Sequence, residues 1–416
     1  MTKFIIITDL RIHLLLTAVD IYKKCKDKTD FKFIISERIK SNHDYGDFFP
    51  IWYKKIKILI FRIFFDTLIV KSSINTFLQE DDYMGVTSSL CSVTCDSLAT
   101  VQKYPLLYQN MVNLAKGAKE ICQFIQGRKC NEIFIFNGRL ASSEPIVRWC
   151  VSKNIKIIYY EYGSIFGKNY LLMDFPVHNS YKYGLELVKY YNNNILKNNL
   201  IIENGRKYYI SKLSNIFTKK YIYESNKSYD VVIFLHSDHE YTSVNKELCG
   251  IEFLENYDFI KSVVERYGNN MQYAVRAHPN QLNDLSYSDT VVQIQRFCIE
   301  HSIDFFDANS KISSYSLIKN SKLIVVQLSS ISVDAILLEK DVVIDGNNEL
   351  KAILDSTPKH IMEDKAVLKD YVCKVLGMSE YLFKYEFHRK IQILAKLLFR
   401  FEWELNKRIT YKKYLC

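Results

Sequence analysis

Short, continuous apolar runs separated by amphipathic stretches are the feature that most constrains the fold of this chain. Apolarity that continues through a run, without alternating, is typical of strands buried on both faces, as in a parallel sheet covered by helices. The stretches between the runs, such as Leu106–Gln126 and Ile251–Tyr267, have helical periodicity. The pattern therefore predicts an α/β fold of doubly wound, Rossmann-like units. The runs are Lys3–Thr8, Phe31–Ser36, Glu132–Phe136, Ile155–Tyr160, Asp230–Leu235, Gln272–Arg276, Lys322–Gln327 and Asp341–Ile344.

The length of the chain, 416 residues, is sufficient for two domains that each bury a core. We expect an N-terminal Rossmann-like domain over residues 1–180 and a C-terminal one over residues 229–380. Residues 181–228 are rich in Asn, Lys and Tyr and predict connecting helices or irregular structure, while residues 381–416 predict a helix and a basic tail. The parallel sheets of the two domains are expected to face a central cleft.

Several motifs that bind phosphates or metals are absent. The 13 glycines include no G-x-G-x-x-G and no G-x-x-x-x-G-K-[ST], which argues against dinucleotide-dependent dehydrogenases and P-loop ATPases. The chain also lacks the G-x-S-x-G elbow of α/β-hydrolases and the H-E-x-x-H of zinc proteases. No D-x-D occurs, which disfavours a transferase that chelates a metal–nucleotide complex through two aspartates.

The expected location is the cytoplasm. Ten cysteines are scattered without a C-x-x-C pair, which is typical of reduced thiols in a cytosolic protein. Asp9, Arg11 and His13 interrupt the apolar N-terminus, which therefore predicts a first strand and loop instead of a signal sequence. The run Ile56 to Val70 is too short and too charged to span a bilayer.

Arg276, His278 and Pro279 follow an apolar run in the second half of the chain. Ligands of open α/β sheets bind beyond the carboxyl ends of the strands, where these side chains are expected to lie. An arginine and a histidine can together neutralise and hydrogen-bond a phosphate. Alternatively, the arginine pairs with a nearby carboxylate and the histidine caps a turn.

A second run leads directly into Ser329, Ser330 and Ser332, and an apolar helix is predicted to begin there. Hydroxyls at the start of a helix are suited to binding an anion. The alternative is that a serine only caps the helix. Asp334, in the first turn of that helix, could reach a ribose hydroxyl or complement the helix dipole.

Two further polar segments border these strands. The first, ISSYSLIKNS, predicts a short helix that is capped by Ser313 or Ser314 and includes Tyr315. The second, LHSDHEY, follows the first strand of the C-terminal domain and contains Asp238. Its His and Asp/Glu side chains could line a polar cleft, form a solvated loop or contribute to a metal site, but no third histidine and no C-x-x-C supports a metal.

Polar residues also follow two strands in the first half of the chain. Asn137 and Arg139 come after one strand, and Glu161 and Gly163 after the next. Glu161, which follows a run of apolar and aromatic residues, is the best candidate for a carboxylate with a raised pKa and a role as a base. Asp9 is the second candidate. Either carboxylate could instead cap a helix or form an ion pair.

Taken in order, the segments FNGR, YYEYG, LHSDHEY, VRAHPN and SSYSLIKNSKLIVVQLSS resemble a known family. They span residues 132–345 and are similar to the bacterial capsule and lipopolysaccharide polysaccharide-biosynthesis glycosyltransferases of the GT-B fold, which has two Rossmann-like domains. In that family the His-Pro motif and the serine pair hold the phosphate of the nucleotide donor, which implies this role for His278, Ser329 and Ser330. The same pairing is found in transferases of CMP-sialic acid and CMP-Kdo and in glycerol-phosphate polymerases of teichoic acid.

The chain departs from the family pattern at two places. Asp334 stands where the helix after the serines usually carries a Glu, and Glu339, Lys340 and Asp341 replace the usual Gly-Lys-Pro. Both departures concern the nucleoside pocket. The resemblance does not extend to the first 130 residues, so it does not constrain the acceptor.

The resemblance implies a metal-independent glycosyltransferase without a cofactor, in which fixed dipoles and cationic side chains stabilise the departing phosphate. It implies catalytic roles for Glu161 or Asp9 as base and for His278, and acceptor binding by Asn137 and Arg139. The expected acceptor is a capsular or O-antigen glycan, free or lipid-linked. Alternatives are a CDP-glycerol-type glycerophosphotransferase and a non-catalytic module that binds a nucleotide or glycan. The residues expected to bind the nucleotide sugar are Arg276, His278, Pro279, Ser313, Ser314, Tyr315, Ser329, Ser330, Ser332, Asp334 and Asp238.

A net charge of +10 could attract nucleic acid or an anionic membrane. No nucleic-acid-binding module is recognisable, so we expect no nucleic-acid partner. The C-terminal residues KRITYKKY combine basic and aromatic side chains, which suits peripheral contact with anionic lipid on the inner face of the cytoplasmic membrane. A solvated basic tail is the alternative.

Overall fold

The computed structural model describes residues 2–8, 10–25, 30–40, 51–162, 169–195, 199–217, 227–241, 244, 246–382 and 384–386. The chain divides into two compact units. The first unit comprises Met1–Thr94, Leu98–Val177 and Phe383–Cys416, and the second comprises Cys95–Ser97 and His178–Leu382.

The described residues form twelve strands in two sheets. The strands are β1 (Thr2–Ile7), β2 (Asp30–Ser36), β3 (Thr67–Val70), β4 (Cys130–Phe136), β5 (Lys156–Tyr162), β6 (Asn169–Met173), β7 (Tyr229–Phe234), β8 (Tyr273–Arg276), β9 (Asp304–Phe306), β10 (Ser321–Val326), β11 (Asp341–Ile344) and β12 (Lys384–Glu386). The sheet of the first unit has the order β3-β2-β1-β4-β5-β6-β12. Its first five strands are parallel, and β6 and β12 are antiparallel to their neighbours.

The helices alternate with these strands as the sequence predicts. They are α1 (Ile12–Cys25), α2 (Ile51–Phe64), α3 (Tyr83–Thr94), α4 (Pro105–Gln126), α5 (Glu144–Ser152), α6 (Ser180–Asn194), α7 (Asn199–Phe217), α8 (Asp238–Tyr241), α9 (Lys246–Cys249), α10 (Asn256–Tyr267), α11 (Tyr287–Glu300), α12 (Ser314–Lys319), α13 (Ile331–Leu337), α14 (Glu349–Asp355), α15 (Lys359–Met362) and α16 (Lys365–Gly377). None of the helices in the described ranges is long and apolar enough to cross a membrane.

The core of the first unit forms around β1 and its neighbours. Ile5 and Ile7 of β1 are fully buried and pack in one cluster with Ile35 of β2 and Phe134 of β4. Continuous burial of this kind is the property of a parallel strand covered on both faces, which the sequence predicts.

The sheet of the second unit is entirely parallel, with the order β9-β8-β7-β10-β11. Successive residues of its central strand β7 enter different cores because side chains of a strand alternate between faces. Val232 and Phe234 belong to one buried cluster, and Val231 and Ile233 belong to another. Both faces are therefore covered. The mainly parallel first sheet and the parallel second sheet confirm the predicted fold class, and the central cleft stays a prediction.

Helices α6 and α7, in the region that the sequence assigns to a connection, pack closely on helices of the second unit. A Cβ on Gly184 of α6 would lie 2.3 Å from the carbonyl oxygen of Glu349. A Cβ on Gly205 of α7 would lie 2.6 Å from the Cα of Gly377 in α16. These contacts require glycine, and they explain why the second unit includes both helices.

The predicted apolar runs correspond to β1, β2, β4, β5, β7, β8, β10 and β11. The other strands are short and lack continuous burial: β9 is only half-buried, and β3 has one buried residue. The helix expected over Ile251–Tyr267 begins instead at Asn256. Lys384–Glu386, read as helical from the sequence, forms β12, which pairs with Asn169–Leu171 of β6.

Candidate functional site

The strand order of the second unit has a topological switch point at the carboxyl edge of its sheet. β8 and β9 lie on one side of the first strand, β7, whereas β10 and β11 lie on the other. Between β7 and β10 the connections leave in opposite directions, and such a switch point is where open α/β sheets bind ligands. Leu235–Asp238 follows β7 and Gln327–Ser330 follows β10, so these two segments border the switch point of the second unit.

Ser329 and Ser330 follow β10 and bring two hydroxyls to this switch point. Ser330 occupies the N-cap position of α13, but its side chain makes no capping hydrogen bond. Neither hydroxyl donates to or accepts from another group within the described part of the chain. Ser332 differs, because its hydroxyl donates to the Ser329 carbonyl oxygen at 3.0 Å. Of the three predicted serines, two have hydroxyls available to a ligand, and Ser332 is committed to the turn.

His278 lies at the end of β8, on the other side of β7 from the serines. The ring Nδ1 of His278 accepts a hydrogen bond from the backbone N–H of Asn280 at 3.2 Å. The backbone N–H of His278 donates to Gln281 Oε1 at 3.0 Å. Pro279 begins the 3-10 turn that His278 caps. Because Nδ1 is an acceptor, the proton of the neutral ring is on Nε2, which makes that atom a donor. The predicted turn-capping role and a ligand-binding role are thus compatible.

Asp238 is tied to the His278 turn by Gln281, which is fully buried. The Gln281 Nε2 donates to Asp238 Oδ2 at 3.2 Å, and Asn256 Nδ2 donates to the other carboxylate oxygen. Burial, and to a lesser extent the negative charges of Glu255 and Asp284, raise the pKa of Asp238 to about 7. The carboxyl therefore titrates close to neutral pH.

His236 is buried at the end of β7 and is uncharged. Burial, with a smaller contribution from His278, lowers its pKa to about 3. Its ring packs edge-on against Tyr241 and Phe253, and neither ring nitrogen has a hydrogen-bond partner in the described part of the protein. Nε2 is 3.7 Å from Asp238 Oδ1, too long for a hydrogen bond. Among the described residues, no three His, Cys, Asp or Glu side chains are grouped to hold a metal ion.

Arg276 is buried and binds backbone carbonyls. Its Nη1 donates to the carbonyl of Asp307 and its Nη2 to that of Ser310 at 3.3 Å. Burial lowers its pKa. Only Nε has no partner in the described part of the chain. Arg276 therefore holds the 307–310 loop. The sequence predicts that this arginine binds either a phosphate or a carboxylate, but the bonds in the structure go to backbone carbonyls.

The loop held by Arg276 leads into α12, where the sequence predicts a capped helix. Ser313 is the cap, since its Oγ accepts from the N–H of Tyr315 at 3.2 Å, and Ser314 is the first helical residue. The Tyr315 hydroxyl donates to Asp334 Oδ2 at 3.1 Å. Burial, followed by the charge of Asp334, raises the pKa of Tyr315. Asp334 thus links α13 to α12 in addition to lying in a first helical turn.

Gln327 was not singled out from the sequence, although it organises the same edge. Its Oε1 accepts from the N–H of Leu254 at 2.6 Å, and its Nε2 donates to the Leu254 carbonyl at 3.0 Å. Leu328 then packs with Ile251 and Phe253 in a small separate core. A polar residue at the end of the apolar run KLIVVQ was the available signal, because such a residue must find partners at the sheet edge.

The first unit has its own polar strand ends. Asn137, at the end of β4, donates from Nδ2 to Glu161 Oε2 at 2.7 Å. Glu161 lies within β5 and pairs with Leu171 of β6, so it is not beyond the strand as expected. Arg139 Nη1 donates to Ser88 Oγ at 3.2 Å, and its Nε has no partner in the described residues. Asp9 and Gly163 lie outside the described residues.

A cavity of about 440 Å³ lies at the opposite edge of the second sheet. It is lined by residues at the amino ends of β7, β8 and β10, including Asp230 and Lys322, which form an ion pair of 2.8 Å. Since open α/β sheets bind ligands at the carboxyl edge, this cavity is not the predicted site.

No family model matches the sequence, and no curated protein matches it. Among solved structures, the chain is similar to the KpsC β Kdo 2,7 transferase of Thermosulfurimonas dismutans, with 14% identity, 88% of this chain and 99% of that chain covered, and a TM-score of 0.41. The β Kdo 2,4 transferase of the same KpsC has 9% identity, 61% and 80% coverage and a TM-score of 0.35. A UDP-GlcNAc 2-epimerase of Methanocaldococcus jannaschii has 12% identity, 90% and 93% coverage and a TM-score of 0.24. These similarities concern the fold alone.

Proposed function

We propose that this protein is a glycosyltransferase whose second unit binds the phosphate of a nucleotide-activated sugar at its switch point. The observation that carries the proposal is the pair of hydroxyls of Ser329 and Ser330. They border the switch point, where sheets of this strand order bind ligands, and they make no hydrogen bond within the described part of the chain. Hydroxyl donors of this kind can bind the oxygens of a phosphate.

His278 supplies the other side of the proposed phosphate site. A neutral imidazole ring with its proton on Nε2 can donate a hydrogen bond to the departing phosphate. The Asn280 N–H favours this tautomer because it donates to Nδ1. Fixed donors stabilise the charge that develops on the leaving group without reorganising during the reaction. The proposal assigns no metal to this step, and Arg276 contributes by holding the neighbouring loop.

The proposed base is in the first unit. Glu161 accepts a hydrogen bond from Asn137 Nδ2, which orients the carboxylate. A carboxylate can remove the proton of an acceptor hydroxyl during an inverting transfer. Asn137 and Arg139 would contact the acceptor, and Asp9 is the alternative base. The acceptor proposed is a capsular or lipopolysaccharide O-antigen glycan, free or lipid-linked.

The donor proposed is a cytidine-activated sugar such as CMP-Kdo or CMP-sialic acid. The support is the pairing of the His-Pro motif with the serine pair, which the sequence shares with CMP-sugar transferases. CDP-glycerol would use the same phosphate site with different chemistry, since glycerol phosphate and not a sugar would be transferred.

Donor cleavage by the purified full chain tests the proposal. The protein is incubated with CMP-Kdo, CMP-sialic acid, UDP-glucose, GDP-mannose and CDP-glycerol, each with and without a chelator, and the released products are separated by chromatography. Release of CMP and free sugar from one CMP-sugar, unaffected by the chelator, is the expected result. Release of glycerol phosphate from CDP-glycerol would identify a phosphotransferase. Cleavage of none of the donors, together with binding of their nucleotides, would identify a non-catalytic module.

A further inference from the structure

Helix α2 of the first unit carries large apolar side chains on its solvent-facing side. Ile56 is 44% exposed, Leu59 55%, Ile63 66% and Phe64 70%. Residues 56, 59 and 63 are spaced by three and four positions, so they form one stripe along the helix. Scattered exposed apolar residues are normal, whereas a contiguous apolar stripe marks an interaction surface.

The opposite side of α2 packs in the core. This packing fixes the rotation of the helix about its axis, and the apolar stripe therefore faces outward. Ile58 and Phe61 are buried, and the Phe61 ring packs edge-on against Phe33 of β2 with 5.3 Å between centroids. The buried Lys57 donates from Nζ to the Leu10 carbonyl at 2.8 Å. Apolar packing and this hydrogen bond together set the rotation of the helix about its axis.

The charges on the exposed side of α2 are all positive. Lys55 and Arg62 are exposed and lie four positions before and three positions after Leu59, which places them beside the apolar stripe. The helix sequence IWYKKIKILIFRIF contains no Asp or Glu. Neither Lys55 nor Arg62 has an ion-pair partner in the described part of the chain. An apolar stripe bordered by unpaired cations is the pattern of helices that lie in a membrane interface.

We propose that α2 binds the surface of an anionic bilayer. Ile56, Leu59 and Ile63 would enter the boundary between headgroups and acyl chains, while Lys55 and Arg62 would contact lipid phosphates. A second copy of the chain is a poorer occupant, because a two-fold interface pairs a patch with itself and would oppose like charges. The proposal rests on α2 alone and does not depend on the donor site of the second unit.

Vesicle co-sedimentation of the full chain tests the proposal. Phosphatidylcholine vesicles with phosphatidylglycerol are compared with phosphatidylcholine alone. The wild-type protein is expected to sediment with the anionic vesicles, and the double variant Leu59→Asp with Ile63→Asp to bind them at least about tenfold more weakly, since two apolar side chains no longer enter the interface. The matched control is Val292→Asp with Ile299→Asp on α11, where the side chains are 53% and 79% exposed. It has the same charge change and should bind like the wild type.

A charge variant keeps the test informative if the first variant fails to fold. Lys55→Glu with Arg62→Glu leaves the apolar stripe intact and should lose the preference for anionic vesicles. No sedimentation of the wild type, or equal sedimentation of all three variants, would overturn the proposal. So would a dimer in light scattering that Leu59→Asp with Ile63→Asp converts to a monomer, because α2 would then bind a second copy.

Discussion

The two units place a serine pair at the same topological position but use it differently. The order β3-β2-β1-β4-β5 in the first unit corresponds to β9-β8-β7-β10-β11 in the second, so β4 and β10 are equivalent strands. Each is followed by two serines and then a helix: Ser142 and Ser143 before α5, and Ser329 and Ser330 before α13. The Ser143 hydroxyl accepts from the N–H of Leu140 and donates to the Leu140 carbonyl, both at 3.2 Å. The hydroxyls of Ser329 and Ser330 make no such bonds among the residues that the structure describes.

The residue after each pair strengthens the difference. Glu144, the first residue of α5, follows Ser143. Its carboxylate is buried and forms an ion pair with Arg148. Ile331 takes the corresponding first position of α13, and the acidic residue in the first turn of that helix, Asp334, lies three positions later and accepts a hydrogen bond from the Tyr315 hydroxyl. A carboxylate at the start of a helix occupies the place where an external anion would bind. The two units therefore share a strand order but not the environment of the serine pair, and the second unit is the one that we propose to bind phosphate.

Removal of His278 should have the largest effect. We expect His278→Ala to lower donor turnover by about 100-fold or more, since the proposed donor to the departing phosphate is lost. His278→Asn retains a side-chain acceptor for the Asn280 N–H, which preserves the turn, and should be as inactive. Kinetics of donor cleavage measure both. The exposed His360→Ala is the control, and near-normal turnover of both His278 variants would remove this side of the phosphate site.

Gly205→Ala tests the close packing of helices in the second unit. A Cβ at this position would lie 2.6 Å from the Cα of Gly377, so the helices must separate. We expect the free energy of unfolding to fall by about 2–3 kcal/mol in denaturant titrations, the cost of overpacking. Gly127→Ala in the first unit has nothing within 4 Å of the new Cβ and should change it little. Equal effects would mean that α7 does not pack on α16 as described.

Asn137→Ala tests the polar strand end of the first unit, where Asn137 binds Glu161. Asn137 has a φ of 58°, which non-glycine residues rarely adopt, and its amide binds Glu161. We expect a loss of about 2 kcal/mol in the free energy of unfolding, from the missing hydrogen bond to a carboxylate and from backbone strain. Asn137→Gly loses the side-chain hydrogen bonds to Glu161 and the Arg139 N–H but avoids the backbone strain, so it should be less destabilised. A glycine variant as unstable as the alanine variant would exclude the backbone contribution.

Asp238→Asn should change how stability depends on pH. In the folded protein the pKa of Asp238 is raised from 3.8 to about 7, so the folded state binds more protons between about pH 4 and 7 and loses stability as pH rises. The pKa of His236 is lowered from 6.5 to about 3, so the folded state binds fewer protons and gains stability as pH rises to about 6.5. The two effects oppose each other.

Without the carboxyl, the contribution of His236 is no longer offset. The free energy of unfolding of Asp238→Asn should therefore rise more steeply than that of the wild type between pH 4.5 and 6.5, by at most about 1.4 kcal/mol per pH unit. Urea titrations across this range give the slopes, and Asp289→Asn on the exposed surface of α11 serves as the control. Parallel profiles for the wild type and Asp238→Asn would show that Asp238 is ionised in the folded protein.

The sequence predicts best those features that are local. Continuous apolarity identifies strands such as β7 and β10, because burial on both faces imposes it on consecutive residues. The capping of α12 by Ser313 is likewise readable from neighbouring residues. The partners of Arg276 were not predictable, because the carbonyls of Asp307 and Ser310 approach it only through the fold. Glu161 was placed beyond its strand because the pairing of β5 with the partly polar β6 has no sequence signal.

The proposed function requires phosphate to bind at Ser329 and Ser330 and not at Ser142 and Ser143, the corresponding pair of the first unit. Thermal melting with CMP, CDP, UDP, GDP and dTDP tests it most directly in three proteins: the wild type, Ser329→Ala with Ser330→Ala, and Ser142→Ala with Ser143→Ala. A nucleotide that binds only the folded state raises the melting temperature according to its occupancy. We predict stabilisation, largest with a cytidine nucleotide, in the wild type and the first-unit variant, and its loss in the Ser329 and Ser330 variant. Undiminished stabilisation of that variant would contradict the account.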